Sequence, residues 1–154
     1  MSATGNQPRA ISSTGNRALF LAIAVLAVMG VVVSGVSLER HYAKSATAFC
    51  EVGEKFNCDI VNRSEYSSVM GIPVAGIGVL GYALLLALST RYRGRPQAPT
   101  QILVAAAVGL AFALYLTYVE GYVLETWCIL CLSSLALITT ITIAATLLKV
   151  KAST

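Results

Sequence analysis

The chain has 154 residues, of which 56% are hydrophobic and only 12% are charged. This composition is too apolar and too poor in charge for an ordinary water-soluble domain. We expect the chain to be embedded in a membrane, with no nucleic-acid partner.

Four apolar runs follow one another along the chain, and each is long enough to cross a bilayer. A run of roughly 18 or more apolar residues is typical of a transmembrane helix. The runs are Ala18–Leu38, Ile72–Ser89, Ile102–Val119 and Trp127–Leu148. We therefore predict an all-α membrane protein, a bundle of four transmembrane helices that run up and down in turn.

Nearly all of the chain belongs to this one membrane domain, which we place at residues 18–149. Residues 1–17 are polar and are predicted to be a flexible lead-in, and residues 150–154 a short tail. The first apolar run is longer than the roughly 7–15 residues typical of the core of a cleaved signal peptide. Only the segment 39–71, between the first two runs, is long enough to carry structure of its own.

The charged residues are divided between alternate connecting segments, and this division predicts the topology. All seven acids lie in the segments 39–71 and 120–126. The other segments carry basic residues and no acid, namely Arg9, Arg17, Arg91, Arg93, Arg95, Lys149 and Lys151. The positive-inside rule therefore places both termini in the cytoplasm and the two acidic segments on the other side of the membrane.

The four cysteines all fall on this predicted outer side, where disulfides form and persist. Cys128 and Cys131 lie at the head of the fourth run, one helical turn apart on one face. A helix N-terminus stabilises a thiolate, and the apolar wall behind Cys131 suits a lipid-soluble electron acceptor. Cys50 and Cys58 lie in the long loop, separated by seven mostly polar residues that are accessible to a soluble partner.

Two dithiols on one side of a membrane suggest a relay, in which thiol–disulfide exchange passes electrons from one pair to the other. One alternative is a non-enzymatic membrane protein in which both pairs are static disulfides. A second alternative is a zinc site made of four thiolates. The seven-residue spacing of one pair is wider than the usual two to four residues of such sites, so we expect no metal.

Three stretches of the chain resemble the vitamin K epoxide reductase family: "CEVGEKFNC", "CDIVNRSEYSSVMGIPVAGIGVLGY" and "WCILCLSS". The resemblance runs from about Arg17 to Lys149. It implies a four-helix bundle that holds a quinone near the outer surface, in a membrane oxidoreductase of quinones or, in animals, of vitamin K epoxide. Ser64 matches a family serine or threonine that supports the loop beside the active site, and Tyr66 follows it closely.

The same resemblance implies a role for each cysteine. Cys131 would be the thiolate next to the quinone ring, and Cys128 would be its disulfide partner. Cys50 and Cys58 would form the shuttle pair, with Cys58 attacking Cys128. Cys50 would then resolve the mixed disulfide or take electrons from the partner protein.

The sequence departs from the animal members at two positions that contact the substrate carbonyl. Leu135 stands where they have a tyrosine, and Val74 is the nearest match to their asparagine at the start of the second helix. We regard Tyr82 and Tyr115 as candidate replacements, with structural packing of their rings as the alternative interpretation.

The function expected from the resemblance is disulfide-bond formation coupled to the reduction of ubiquinone, menaquinone or vitamin K. Electrons would come from a separate thioredoxin-like periplasmic oxidoreductase, since no such domain follows Lys149. We expect a bacterial inner membrane, with the endoplasmic reticulum as the alternative. The alternative activity is recycling of vitamin K epoxide or quinone.

Overall fold

The computed structural model describes residues 13–42, 61 and 65–153. This part of the chain is mostly helical. Its elements are helix α1 (Ser13–Tyr42), a 3-10 turn (Glu65–Ser67), strands β1 (Ser68–Val69) and β2 (Ile72–Pro73), helices α2 (Val74–Thr90) and α3 (Ala98–Tyr118), a π-helical turn (Val119–Val123) and helix α4 (Ile129–Ser153).

Three helical segments are long and apolar enough to cross a membrane: Gly15–Tyr42, Ala98–Val123 and Ile129–Ser153. They confirm three of the four predicted spans by length and composition. The remaining helix, α2, is apolar but has only 17 residues. At 1.5 Å per residue it is about 25 Å long, somewhat less than the ~30 Å hydrocarbon core of a bilayer.

The second predicted span begins two residues too early because its first residues belong to a β-hairpin. Strands β1 and β2 are antiparallel, with Ser68 opposite Pro73 and Val69 opposite Ile72. The two turn residues, Met70 and Gly71, both have positive φ angles, 53° and 82°. Positive φ at both central positions is the mark of a type I′ turn, which fits the twist of a tight hairpin. The hairpin leads directly into α2.

The two ends of the bundle differ from the sequence prediction. α1 begins at Ser13 and α4 runs to Ser153, so residues 13–17 and 150–153 are helical and not a flexible lead-in and tail. The two helices pack side by side there, with Gly15 facing the Lys151 ammonium group.

Each helix packs against two others around the bundle. α1 lies against α2 and α4, and α3 lies against α4, whereas α2 and α3 pack least closely. The core is made mostly by α1, α3 and α4, and its fully buried members include Ile23, Ile102, Ile141 and Leu148. The weak packing of α2 against α3 leaves a cleft between them.

Tyr82 holds three helices together. Its ring is 5% exposed and lies directly over Gly30 of α1. Its hydroxyl donates to the Ser134 carbonyl oxygen of α4 at 2.9 Å and lies 2.8 Å from the Ser134 Oγ atom. The structure therefore gives Tyr82 a packing role, whatever it does toward a ligand.

Replacing Gly30 with alanine should destabilise the protein, because the new Cβ would overlap the Tyr82 ring. We expect a loss of about 1–3 kcal/mol in the free energy of unfolding, as for other overpacked core sites. Thermal unfolding in detergent measures the effect. The control is Gly35→Ala on the same helix, where an added Cβ meets nothing within 4 Å. Equal melting temperatures for the two variants would contradict the expectation.

Candidate active site

A cavity of about 880 Å³ lies between α2 and α3 and is closed on its other sides by α1 and α4. Small-molecule sites are typically about 300–1,000 Å³. Apolar side chains make most of its walls, among them Leu84, Leu85, Leu88, Val104, Val108 and Phe112. The lining follows α3 and the π-helical turn after it from Thr100 to Glu120, a distance of about 30 Å at 1.5 Å per residue. The cavity is therefore long, narrow and mostly apolar.

Five polar side chains of the lining lie together at one end of this cavity. α1 and α3 end there and α4 begins there, which brings together side chains from distant parts of the sequence. They are His41, Tyr66, Ser67, Glu120 and Cys131. His41 Nδ1 lies 3.5 Å from the Ser67 Oγ atom and joins the end of α1 to the 3-10 turn. A molecule with a polar ring and an apolar tail fits this distribution.

The two cysteines of the C-x-x-C pair occupy the N-terminus of α4 but have different surroundings. Cys128 precedes the helix, and its carbonyl oxygen accepts the Leu132 N–H at 3.0 Å. Cys128 is completely buried, packs with Val61 and Leu130, and does not line the cavity. Cys131, in the first turn, is partly exposed and lines the cavity. No bond joins the two sulfur atoms to each other.

Glu120 is a member of this site that sequence reasoning missed. The sequence prediction placed it in an outer loop, but the helix continues through a π-helical turn, closed by a Leu124 N–H to Val119 O hydrogen bond of 2.9 Å. The Glu120 side chain is only 1% exposed. The sequence feature that could have identified Glu120 is an acid within an apolar stretch, with no basic residue near it.

The Glu120 carboxyl group lies against both cysteines. Its Oε2 atom accepts the Cys128 backbone N–H at 3.2 Å. The Cys131 side chain is close enough to influence the charge of this carboxyl group. Its Oε1 atom is buried and has no hydrogen-bond partner within the described residues. A buried polar atom without a partner is costly, so this oxygen is suited to an exchangeable proton or a ligand.

The other predicted site residues are distributed unevenly. Val74, Tyr82 and Tyr66 line the cavity. Tyr115 is 55% exposed and, like Leu135, is not part of the lining. The Tyr82 hydroxyl hydrogen is already given to the Ser134 carbonyl oxygen, so without rearrangement the Tyr82 hydroxyl can only accept a hydrogen bond from a ligand. Binding roles for these residues stay predictions.

Three predicted residues, Cys50, Cys58 and Ser64, lie outside the described residues. Within the described part of the chain, no group of three or more histidine, cysteine or acidic side chains is placed to hold a metal ion.

These features define a class: a multi-pass membrane protein with a cysteine pair at the head of one helix and an apolar cavity beside it. The family model of the vitamin K epoxide reductase family matches residues 21–146. The match covers most of the chain, and the chain belongs to that family. Membership implies an oxidoreductase of the quinone or epoxide reductase type, acting at a membrane.

Proposed function

We propose that this protein is a membrane quinone reductase that takes electrons from protein thiols and passes them to a lipid-soluble quinone. The observation that carries the proposal is the placement of Cys131. Within the described residues it is the one cysteine that lines the apolar cavity, and Cys128 adjoins it from behind.

The shape of the cavity supports a quinone as substrate. A quinone has a polar ring that needs hydrogen-bond donors and, in membranes, a long apolar tail. The polar end with Cys131 and Glu120 suits the ring, and the apolar length along α3 suits the tail. Ubiquinone, menaquinone and vitamin K share this chemistry.

The proposed cycle begins with a thioredoxin-like partner that has become reduced by oxidising its clients. It reduces the Cys50–Cys58 pair, and Cys58 then attacks a Cys128–Cys131 disulfide at Cys128. The released Cys131 thiolate faces the cavity and, with Cys128, gives two electrons to the quinone. The result is disulfide formation in exported proteins at the expense of quinone.

The proposed topology follows from the charges and the helices together. Three helices are long enough to span the membrane, and α2 would be the fourth span with the help of the hairpin before it. Basic, acid-free segments at both termini and around Arg91–Arg95 favour the cytoplasmic side. The cysteines would then face the outside of a bacterial inner membrane.

A single-turnover assay tests the proposal. The purified full-length protein is reduced, freed of reductant and mixed without oxygen with a short-chain ubiquinone or with menadione. We expect one quinol for every two protein thiols lost, because thiol oxidation and quinone reduction are both two-electron steps. Thiols that stay reduced beside an unchanged quinone would refute the proposed activity.

The family name makes epoxide reduction the second candidate, and the same assay separates the two. Vitamin K epoxide replaces the quinone in a parallel reaction. Leu135 and Val74 offer no side-chain hydrogen bond to a substrate carbonyl, so we expect the quinone to react faster. A faster reaction with the epoxide would reverse this order and favour quinone recycling.

A cross-linking experiment tests the relay through the loop pair. In a Cys50→Ser, Cys131→Ser protein, Cys58 and Cys128 are the remaining cysteines. We expect mild oxidation to join them, which a mass-tagged alkylating agent detects as the loss of both thiols. If the natural protein instead holds two static disulfides, Cys50–Cys58 and Cys128–Cys131, then Cys58 and Cys128 do not meet. Both thiols of the double variant should then stay unlinked.

A further inference from the structure

The geometry points to Glu120 as the proton-transfer residue of this site, taking the proton of the Cys131 thiol and delivering it to a quinone oxygen. The inference rests on the proposed function, since it assigns a role within quinone reduction. It concerns a residue that the cysteine motifs do not include.

Burial and contacts single out this carboxyl group. Glu120 is 1% exposed, and it lines the cavity together with Cys131. One oxygen is used by the Cys128 N–H, and the Cys131 side chain lies near enough to influence the charge of the carboxyl group. The group thus bonds the main chain of one cysteine and shares the cavity with the side chain of the other.

A purely structural role would need only one of the two oxygens. The Cys128 N–H is left without a helical acceptor at the start of α4, and Oε2 satisfies it. A glutamine or asparagine oxygen would do this without placing an acid among apolar side chains. The second oxygen, Oε1, has no hydrogen-bond partner in the described part of the chain, which a structural role does not explain.

The chemistry needs a group that moves protons at this position. Oxidation of the cysteine pair forms one S–S bond, releases two protons and sends two electrons to the quinone, whose two oxygens each take up one proton. In the dithiol state Glu120 holds the Cys131 proton, so that Cys131 is a thiolate. As the electrons move to the quinone, Glu120 gives this proton to the nearer quinone oxygen, and it is a carboxylate in the disulfide state. The Cys128 proton leaves as the disulfide closes, and the second quinone oxygen is protonated from solvent.

The test compares Glu120→Gln with the matched control Glu125→Gln. Glutamine keeps an oxygen for the Cys128 N–H but cannot carry the proton. Glu125 is an exposed acid five residues away, and it lies outside the cavity lining. We expect Glu120→Gln to slow single-turnover quinone reduction by about 100-fold or more, as for other positioned acid–base groups. The control should match the wild type.

The concentration dependence separates proton transfer from a structural effect. If Glu120 moves the proton, the rate at saturating quinone falls while the half-saturating quinone concentration changes little. Equal saturating rates for Glu120→Gln and wild type would overturn the inference while leaving the proposed function intact. A wild-type protein that reduces no quinone would instead refute the proposed function itself.

Infrared difference spectroscopy tests the inference on the wild-type protein. This test can therefore be made even if the Glu120→Gln variant does not fold. The stretching band of a protonated carboxyl group should be present in the dithiol state and absent from the disulfide state, because Glu120 gives up its proton during the reaction. A difference spectrum without any carboxyl change would overturn the inference.

Discussion

Replacing Cys131 with serine should abolish quinone reduction, with a loss of at least about 1,000-fold in the single-turnover rate. Cys131 lines the cavity, and Cys128 is completely buried behind it, so no other sulfur of the C-x-x-C pair reaches the cavity. Serine has nearly the same shape, and the melting temperature in detergent should stay close to that of the wild type. Full quinol production by this variant would remove the basis of the proposed mechanism.

The matched control is Cys128→Ser, which removes the other half of the pair. This variant also cannot complete the reaction, since no disulfide can close. It keeps the thiol that faces the cavity, however. We expect an apolar maleimide to label this thiol as fast as in the reduced wild type, and excess quinone to slow the labelling. In Cys131→Ser the quinone-protected labelling should be lost. Protection that persists in Cys131→Ser would place the quinone elsewhere.

Filling the cavity at Gly81 should weaken substrate binding strongly. Gly81 lines the cavity, and an added Cβ there meets nothing within 4 Å. A leucine at this position therefore starts from open space in the cavity wall, and we expect its side chain to occupy part of the cavity. We expect KM for quinone to rise by about 10- to 100-fold, the range typical of misfit in a hydrophobic site. Steady-state kinetics in detergent, with the thiol donor held in excess, measures it.

Gly35→Leu is the control for this variant. Gly35 also lies in a helix and also leaves room for a Cβ, but it is not part of the cavity lining. Both substitutions remove a helical glycine, so they share any gain in helix stability. An unchanged KM in Gly81→Leu, or an equal rise in Gly35→Leu, would show that the cavity is not the binding site.

Much of the fold could be predicted from the sequence because apolar runs report directly on burial in lipid. The first, third and fourth runs became helices long enough to span a membrane. The second run was predicted less well because hydropathy does not distinguish a strand from a helix. Ile72 and Pro73 are as apolar as the residues after them, but they pair with β1 and delay the helix to Val74.

The candidate site could be predicted only where a residue type carries its own chemistry. Cys131 was recognisable from its spacing and its place at the head of a span. Glu120 was not, because charge sorting treats every acid near a span end as a loop residue. Its burial depends on the π-helical turn Val119–Val123, and one wider turn leaves no clear mark in a sequence.

The cavity itself depends on packing between pairs of helices. Ala105, Gly109 and Ala113 form a stripe of small residues on α3, which the sequence shows clearly. Such a stripe favours close approach to some neighbour, but it does not say to which one. In the structure Gly109 lies close to Ile138 of α4, while the stripe also borders the gap toward α2. Which two neighbouring helices stay apart depends on the packing of all four helices.

The weak packing of α2 against α3 also determines where a substrate comes from. Leu84, Val104 and Val108 line the cavity and are nevertheless 52%, 58% and 65% exposed, so the cleft is open on the side of the bundle that faces lipid. A molecule that enters this way is drawn from the surrounding bilayer and never crosses water. Its effective concentration is its mole fraction among the lipids. Adding lipid while the amounts of substrate and protein stay constant would lower the mole fraction of substrate in the bilayer. The reaction would therefore slow, although the concentrations of substrate and protein in the whole sample stay the same.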